Sequence, residues 1–323
     1  MSQVPLRIVI PGGTGQIGNI LARHFHEQGH CVTVIARHPK PAEWQTMLWD
    51  AQELGDWARA FERADVVINL AGRSVNCRYN ATNRREIKNS RILSTAVVGR
   101  AISECAHAPR LWLNASTATI YRHSLDRPMD ESGELGGSEP DAPRKWKFSI
   151  DVATSWERTF FAADTPATRK LALRSAMTMS PDPNGVFDHL LRLVQWGLGG
   201  PSGSGEQYIS WIHDVDFVRA IEFLIAHEEF SGVVNVSSPC PVTNRDFMCC
   251  LRHAWCTSYV GLPAPRWMLS IGAALLRTET ELVLKSRRVV PRRLLDAGFE
   301  FHFPNWRGAC QDLVQRWREL HAD

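Results

Sequence analysis

Three glycines at a three-residue spacing, Gly12, Gly15 and Gly18, stand in IVIPGGTGQIGNILARHF between an apolar run and an amphipathic one. A chain that turns sharply out of a strand, lets a phosphate approach its backbone and packs a helix closely on a sheet needs residues without a Cβ at such places. The helix that follows offers unpaired N–H groups and the positive end of its dipole to an anion. A merely tight turn is the competing reading. The strand–loop–helix setting favours a dinucleotide diphosphate cradled by Gly12, Gly13, Thr14, Gly15, Gln16, Ile17 and Gly18.

The choice of nucleotide turns on the end of the second apolar run. IARHPK puts Arg37, with His38 and Lys40 beside it, where NAD sites carry a carboxylate, and no acid follows until Glu43. A guanidinium grips a 2′-phosphate with paired hydrogen bonds, so NADP(H) is expected rather than NAD, a solvated surface arginine being the alternative. Asp50, after MLW, falls where the next strand would end beside an adenine. Leu70, Ala71 and Gly72 of NLAG follow the fourth strand, where small residues let the chain pass close to ribose and diphosphate.

These residues need a scaffold, and the apolar pattern supplies one. Runs at 7–10, 31–36, 65–71, 111–116 and 170–177 alternate with helical spacing over 17–28, 53–63, 83–107 and 148–162. Such alternation predicts an α/β fold, a doubly wound parallel sheet with right-handed crossovers. Two stretches interrupt it: HSLDRPMDESGELGGSEPDAPR at 123–144 and GLGGPSGSGEQ at 197–207. Loops beyond about a dozen residues are often functional, so both are read as walls or lids, against the alternative of passive linkers. Residues 1–235 are expected to form the nucleotide-binding domain, with substrate-side segments at about 180–212. Residues 236–323 form a smaller, mostly helical carboxy-terminal portion, with its own unit from about 263.

Composition narrows the partners. The 323 residues carry a formal charge of +3 without a basic block, which argues against nucleic acid, and no apolar stretch reaches the ~18 residues of a membrane span. A small-molecule substrate fits better. No secretory leader is read at the amino terminus, and the eight cysteines include no CxxC, so a reduced, cytoplasmic setting is expected. His24 and His26, two apart on a helix, point to different faces, and no metal is expected.

GGTGQIG, NLAG and NASTATIY together resemble the extended short-chain dehydrogenase/reductases. REIKNSRILST, GGPSGSGEQYISWIHDVDFVRAI, GVVNVSSPCPVTNRDF and VVPRRLLDAGFEFHFP are similar to an atypical branch labelled epimerase-family or sugar-nucleotide-epimerase-like proteins, with their own carboxy-terminal domain. The resemblance covers essentially the whole chain. It implies an extended Rossmann domain carrying NADP(H) and says little about substrate. Members of the wider class often pair into a homodimer through helices, although no residue here requires it.

In active members of that class a Ser or Thr after the fifth strand binds the substrate oxygen, and a Tyr in Y-x-x-x-K moves the proton. Matching STATIY to the pattern puts Thr117 at the substrate-bonding place, with Ser116 before it on the cofactor side and Tyr121 after. The alternative is three hydroxyls on a strand edge. The relay itself is missing: Phe148 or Ser149 stands where tyrosine belongs and Val152 or Ala153 where lysine belongs. Three replacements are open: Tyr121 assisted by Lys145 or Lys147, His213 in SWIHDVD, or Asp151. Each has a structural alternative, respectively a loop hydroxyl, a hydrogen-bonded junction histidine and an exposed helix charge. Arg91, Arg174, Gln207 and Trp211 are the expected substrate-side residues, the arginines suiting a carboxylate or phosphate unless they serve internal ion pairs.

The sequence therefore supports an NADP(H)-binding oxidoreductase-like protein acting on a small polar compound, for which the resemblance suggests a sugar nucleotide. A non-catalytic NADP(H)-binding redox sensor is the alternative that the missing relay keeps open.

Overall fold

A computed structural model describes residues 4–137, 139, 143–255, 261–262 and 284–322. Seven strands form one parallel sheet: β1 (Arg7–Pro11), β2 (Cys31–Ala36), β3 (Gln45–Leu48), β4 (Val66–Asn69), β5 (Leu111–Thr117), β6 (Arg169–Ser175) and β10 (Gly232–Val236). Their order is β10-β6-β5-β4-β1-β2-β3. Ile8 is in register with Val32 of β2 on one side and Val66 of β4 on the other. The winding reverses between β1 and β4, and open α/β sheets bind ligands beyond the carboxyl ends of strands at such a point.

Side-chain alternation assigns the two faces. Ile8, Ile10, Leu113 and Leu173 pack with Phe25 of α1 (Gln16–Glu27) and with Phe217 and Ile221 of α5 (Asp214–Ala226). Val9, Val67 and Trp112 face the other way, toward Val98 of α2 (Ala81–Ser103) and Phe160 of α3 (Arg144–Ala162). Both faces are covered, which is why these strands read as continuous apolar runs.

A third apolar cluster lies outside the sheet. It joins Phe187 and Leu191 of α4 (Val186–Gln195), Trp211 of the short β9 (Trp211–His213), Phe247 of α6 (Asn244–Trp255) and Trp306, Leu313 and Trp317 of the last helix, Trp306–Leu320. β9 pairs in parallel with β7 (Met177–Met179), while β8 (Tyr208–Ile209) pairs antiparallel with β11 (Val242–Thr243).

Two expected elements differ. Over 53–63 only a 3-10 helix forms, Asp56–Phe61. Asp50 folds back on the N–H groups of Gln52 and Glu53, and Ala51 takes a positive φ of 66°, so the turn uses up the residues a full helix would need. The run expected over 170–177 divides into β6 and β7, which pair with different strands. Of the helical unit expected from about 263, residues 263–283 lie outside the described residues. Its described parts are a short helix, Arg292–Asp296, and the last helix.

Candidate functional site

At the switch point the glycine loop touches the chain leaving β4. The backbone N–H of Gly12 donates to Ile35 and that of Leu70 donates to Pro11, each at 2.8 Å. A Cβ on Gly12, which has φ +76°, would stand 2.6 Å from the backbone of Ala71, and one on Gly18 would stand 2.4 Å from that of Gly13. Both glycines are thus demanded by the fold.

Gly15 is different. It is exposed, its φ of −76° suits any residue, and a Cβ there would meet only the Gly12 carbonyl at 3.9 Å. It stands at the N-cap of α1, where no side chain satisfies the first N–H groups. Nothing in the protein itself explains glycine at this position. A group lying on the helix end does, since a side chain would fill the space that group needs. The Gln16 amide nitrogen, buried beside Gly185 and without a hydrogen-bond partner, is a further unspent donor next to this loop. The cradle therefore fits a dinucleotide diphosphate.

Arg37 and His38 follow β2 and are exposed, and no carboxylate pairs with Arg37 among the described residues. The guanidinium is available to an outside anion. Asp50 is also exposed, but its Oδ1 accepts the N–H groups of Gln52 and Glu53 at 2.8 and 2.9 Å, and these bonds hold its carboxyl below the usual range. It caps its own turn. Thr14 of the loop and Ile17 in the first turn of α1 are half-buried, as is Leu70, while Ala71 is buried beneath the loop and Gly72 exposed.

Beyond β5 the hydroxyls part company. Thr117 is half-buried at the strand's carboxyl end, and its Oγ1 accepts the Thr119 N–H at 3.1 Å, leaving its own O–H to donate. Ser116 points inward instead and donates to Glu157 Oε1 at 2.6 Å, so its expected place on the cofactor side is corrected. Glu157 also takes two bonds from Arg174, whose third bond reaches the Tyr121 oxygen at 2.9 Å. Tyr121 in turn donates to Asn235 at 2.8 Å. Burial works against the charge of Arg174, yet the bonds to Glu157 raise its pKa, while burial pushes the Tyr121 phenol up to about 12. Arg174 is an internal ion-pair partner rather than a substrate ligand, and Tyr121 is a locked core hydroxyl rather than an acid/base.

His213 requires the same correction. It is fully buried, stacks on Phe303 at 3.9 Å, and has Nε2 2.9 Å from Asp312 while Nδ1 accepts the Val215 N–H at 3.2 Å. Burial lowers its pKa against the pull of Asp214 and Asp312, so it is neutral and caps α5. Trp211 is fully buried against Trp306 and donates to the Cys240 carbonyl, and Gln207 closes the glycine-serine loop through the Ser202 carbonyl at 2.8 Å. Both belong to packing, not to a substrate wall. Asp151 pairs with Lys88 at 2.7 Å on the surface, its helix-charge alternative.

The two lysine places of the relay on α3 are apolar. Val152 and Ala153 are buried in two separate clusters, one with Tyr79 and Ile87 and one with Ala118, Ile120 and Tyr121. Arg91, by contrast, lies midway along α2 against Gly72. Sequence reading missed Glu157 and Asn235 as the network's hubs, the only signal being the Trp156-Glu157 pair. It also missed Lys285, a buried lysine whose Nζ donates to the Thr119 carbonyl at 2.8 Å.

A doubly wound parallel sheet with this loop at its switch point defines the dinucleotide-binding Rossmann class, in its extended short-chain dehydrogenase/reductase form. Residues 8–237 match the NAD dependent epimerase/dehydratase family, and residues 264–313 match DUF1731, a domain of unknown function. The chain belongs to that epimerase/dehydratase family, in its atypical epimerase-family branch. It is 31% identical over 319 residues to the epimerase family protein SDR39U1 of Mus musculus, across 96% of this chain and 100% of that one. An epimerase family protein of Mycobacterium leprae is 30% identical, with 91% of each covered. The crystal structure of human SDR39U1 (isoform 2) with NADPH aligns with a TM-score of 0.82 at 28% identity, over 96% of this chain and 99% of that one. No described helix is long and apolar enough to cross a membrane.

Proposed function

We propose that the chain binds NADP(H) and acts as an oxidoreductase-like protein on a small polar substrate. The observation that carries this reading is Gly15, a glycine with no reason in the fold and open space above a helix end. The relative crystallised with NADPH and the unpaired Arg37 favour the phosphorylated dinucleotide. Bound NADP(H) supplies hydride transfer.

The chain's own part is to bind and orient. Gly12 to Gly18 hold the diphosphate, Arg37 and His38 the 2′-phosphate, and Leu70 to Gly72 the ribose side. Thr117 donates its O–H to a substrate oxygen. With Tyr121 locked and Val152 and Ala153 buried and apolar, no side chain of the usual relay moves the proton, and solvent does. That same feature favours a second reading, a non-catalytic NADP(H)-binding sensor.

Fluorescence titration with NADPH and NADH tests the binding claim. Wild type is expected to prefer NADPH, and Arg37→Asp to weaken NADPH by about 10- to 100-fold while leaving NADH nearly unchanged. Equal losses for both would overturn the 2′-phosphate assignment. Turnover of a carbonyl panel that Thr117→Ala abolishes without loss of NADPH affinity supports the enzyme; tight NADPH binding with no turnover supports the sensor.

A further inference from the structure

Arg91 carries its charge into the fold without a carboxylate. Its Nη1 donates to the carbonyls of Arg73 and Ile87, both at 3.0 Å, and its guanidinium lies 5.1 Å from the ring of Trp156. No acidic side chain among the described residues pairs with it, and burial lowers its pKa to about 10. A guanidinium has five N–H donors, and the two on Nη1 are spent. The edge formed by Nε and Nη2 is not.

The group is held in place from both sides. Trp156 is fixed by its indole N–H to Thr95 Oγ1 at 2.9 Å, and Thr95 lies within bonding reach of Asn69 at the end of β4 and Asn114 in β5. On the other side stands exposed Gly72, where a Cβ would come 3.2 Å from the Arg91 Cζ. The glycine of NLAG thus gives the guanidinium room over the carboxyl ends of β4 and β5, at the sheet edge that Thr117 also occupies. A half-buried cation answered only by neutral carbonyls and an indole ring keeps its remaining edge open to an anion from outside. A single planar fork, with two carbonyl dipoles already beside it, suits a planar carboxylate group better than a tetrahedral phosphate.

We propose that Arg91 determines substrate class: the unspent Nε–Nη2 edge takes a carboxylate, so the compound that sits beside Thr117 is a carboxylic acid rather than a neutral sugar or alcohol. This rests on the NADP(H)-binding reading above, whose failure shows separately as a loss of NADPH binding by wild type.

The test uses the full chain, free and NADPH-loaded, with malonate as the carboxylate probe and inorganic phosphate and chloride at matched ionic strength as controls. Malonate well above its dissociation constant is expected to raise the wild-type melting temperature by ~2–4 °C, phosphate and chloride less. Arg91→Met is expected to abolish that rise, to keep the NADPH dissociation constant within about twofold, and to melt no lower than wild type, since it removes a half-buried charge that has no carboxylate partner. The proposal is overturned if malonate has no effect on wild type, if phosphate does as well, or if the rise survives in Arg91→Met. It is equally overturned if Arg91→Met loses NADPH affinity, because the guanidinium then serves the cofactor, or melts markedly lower, because its bonds to the carbonyls are then its purpose.

Discussion

Arg174 meets Glu157 end to end, Nε to Oε1 at 2.9 Å and Nη2 to Oε2 at 2.8 Å, with the two side chains 7% and 10% exposed. The pair ties β6 to α3, and through Ser116 and Tyr121 it reaches β5 and β10. Removing one partner strands the other charge in the interior. Glu157→Ala is therefore expected to cost about 3–5 kcal/mol in urea unfolding, and the double replacement Glu157→Leu with Arg174→Met to recover much of it. A single-variant loss below about 1 kcal/mol would contradict this placement.

Tyr121 belongs to the same network, and its replacement separates structure from chemistry. Tyr121→Phe deletes a hydroxyl that gives one bond to Asn235 and takes one from Arg174, at an expected cost of about 1–3 kcal/mol. NADPH affinity and its dependence on pH between 6 and 9 are expected to stay as in wild type, because a phenol pushed up to about 12 does not titrate there. A pH profile that flattens in the variant would restore Tyr121 as an acid/base.

The glycines make opposite demands that a paired measurement exposes. Gly15→Asp puts a strong N-cap residue on α1 in a backbone conformation it accepts, so the free protein is expected to melt at or slightly above the wild-type temperature. The same carboxylate occupies the phosphate's place, and NADPH binding is expected to vanish. Gly12→Ala and Gly18→Ala instead drive a methyl into backbone at 2.6 and 2.4 Å and lower the melting temperature even without ligand. Unimpaired NADPH binding by Gly15→Asp would remove the cradle.

These glycines were legible because their constraint is local, a stretch from Gly12 to Gly18 that joins two readable elements. Arg37 was legible for the same reason, standing at the end of a strand whose pattern is plain. Arg174 was not, since its partner Glu157 lies on another element and only the fold brings them together. Trp211 and His213 misled because a three-residue strand shows no periodicity, and the helix that buries them comes about a hundred residues later, through Trp306 and Asp312.

His213 gives stability a pH dependence whose sign is fixed by burial. Its pKa in the folded chain is lowered from 6.5, so below that pH the unfolded chain binds a proton that the native state still refuses. The stability its neutral form contributes is fully present above about pH 6.5 and is lost as pH falls toward the folded value. The limit for one such group is about 1.4 kcal/mol per pH unit. Replacing it by glutamine, which keeps a donor for Asp312 but never ionises, is expected to lower stability at pH 7.5 and to make the decline between pH 6.5 and 5.5 shallower than in wild type. Urea unfolding at both pH values checks this. Equal slopes would mean that the folded histidine binds its proton as readily as the unfolded one, and the burial that keeps it neutral would not hold.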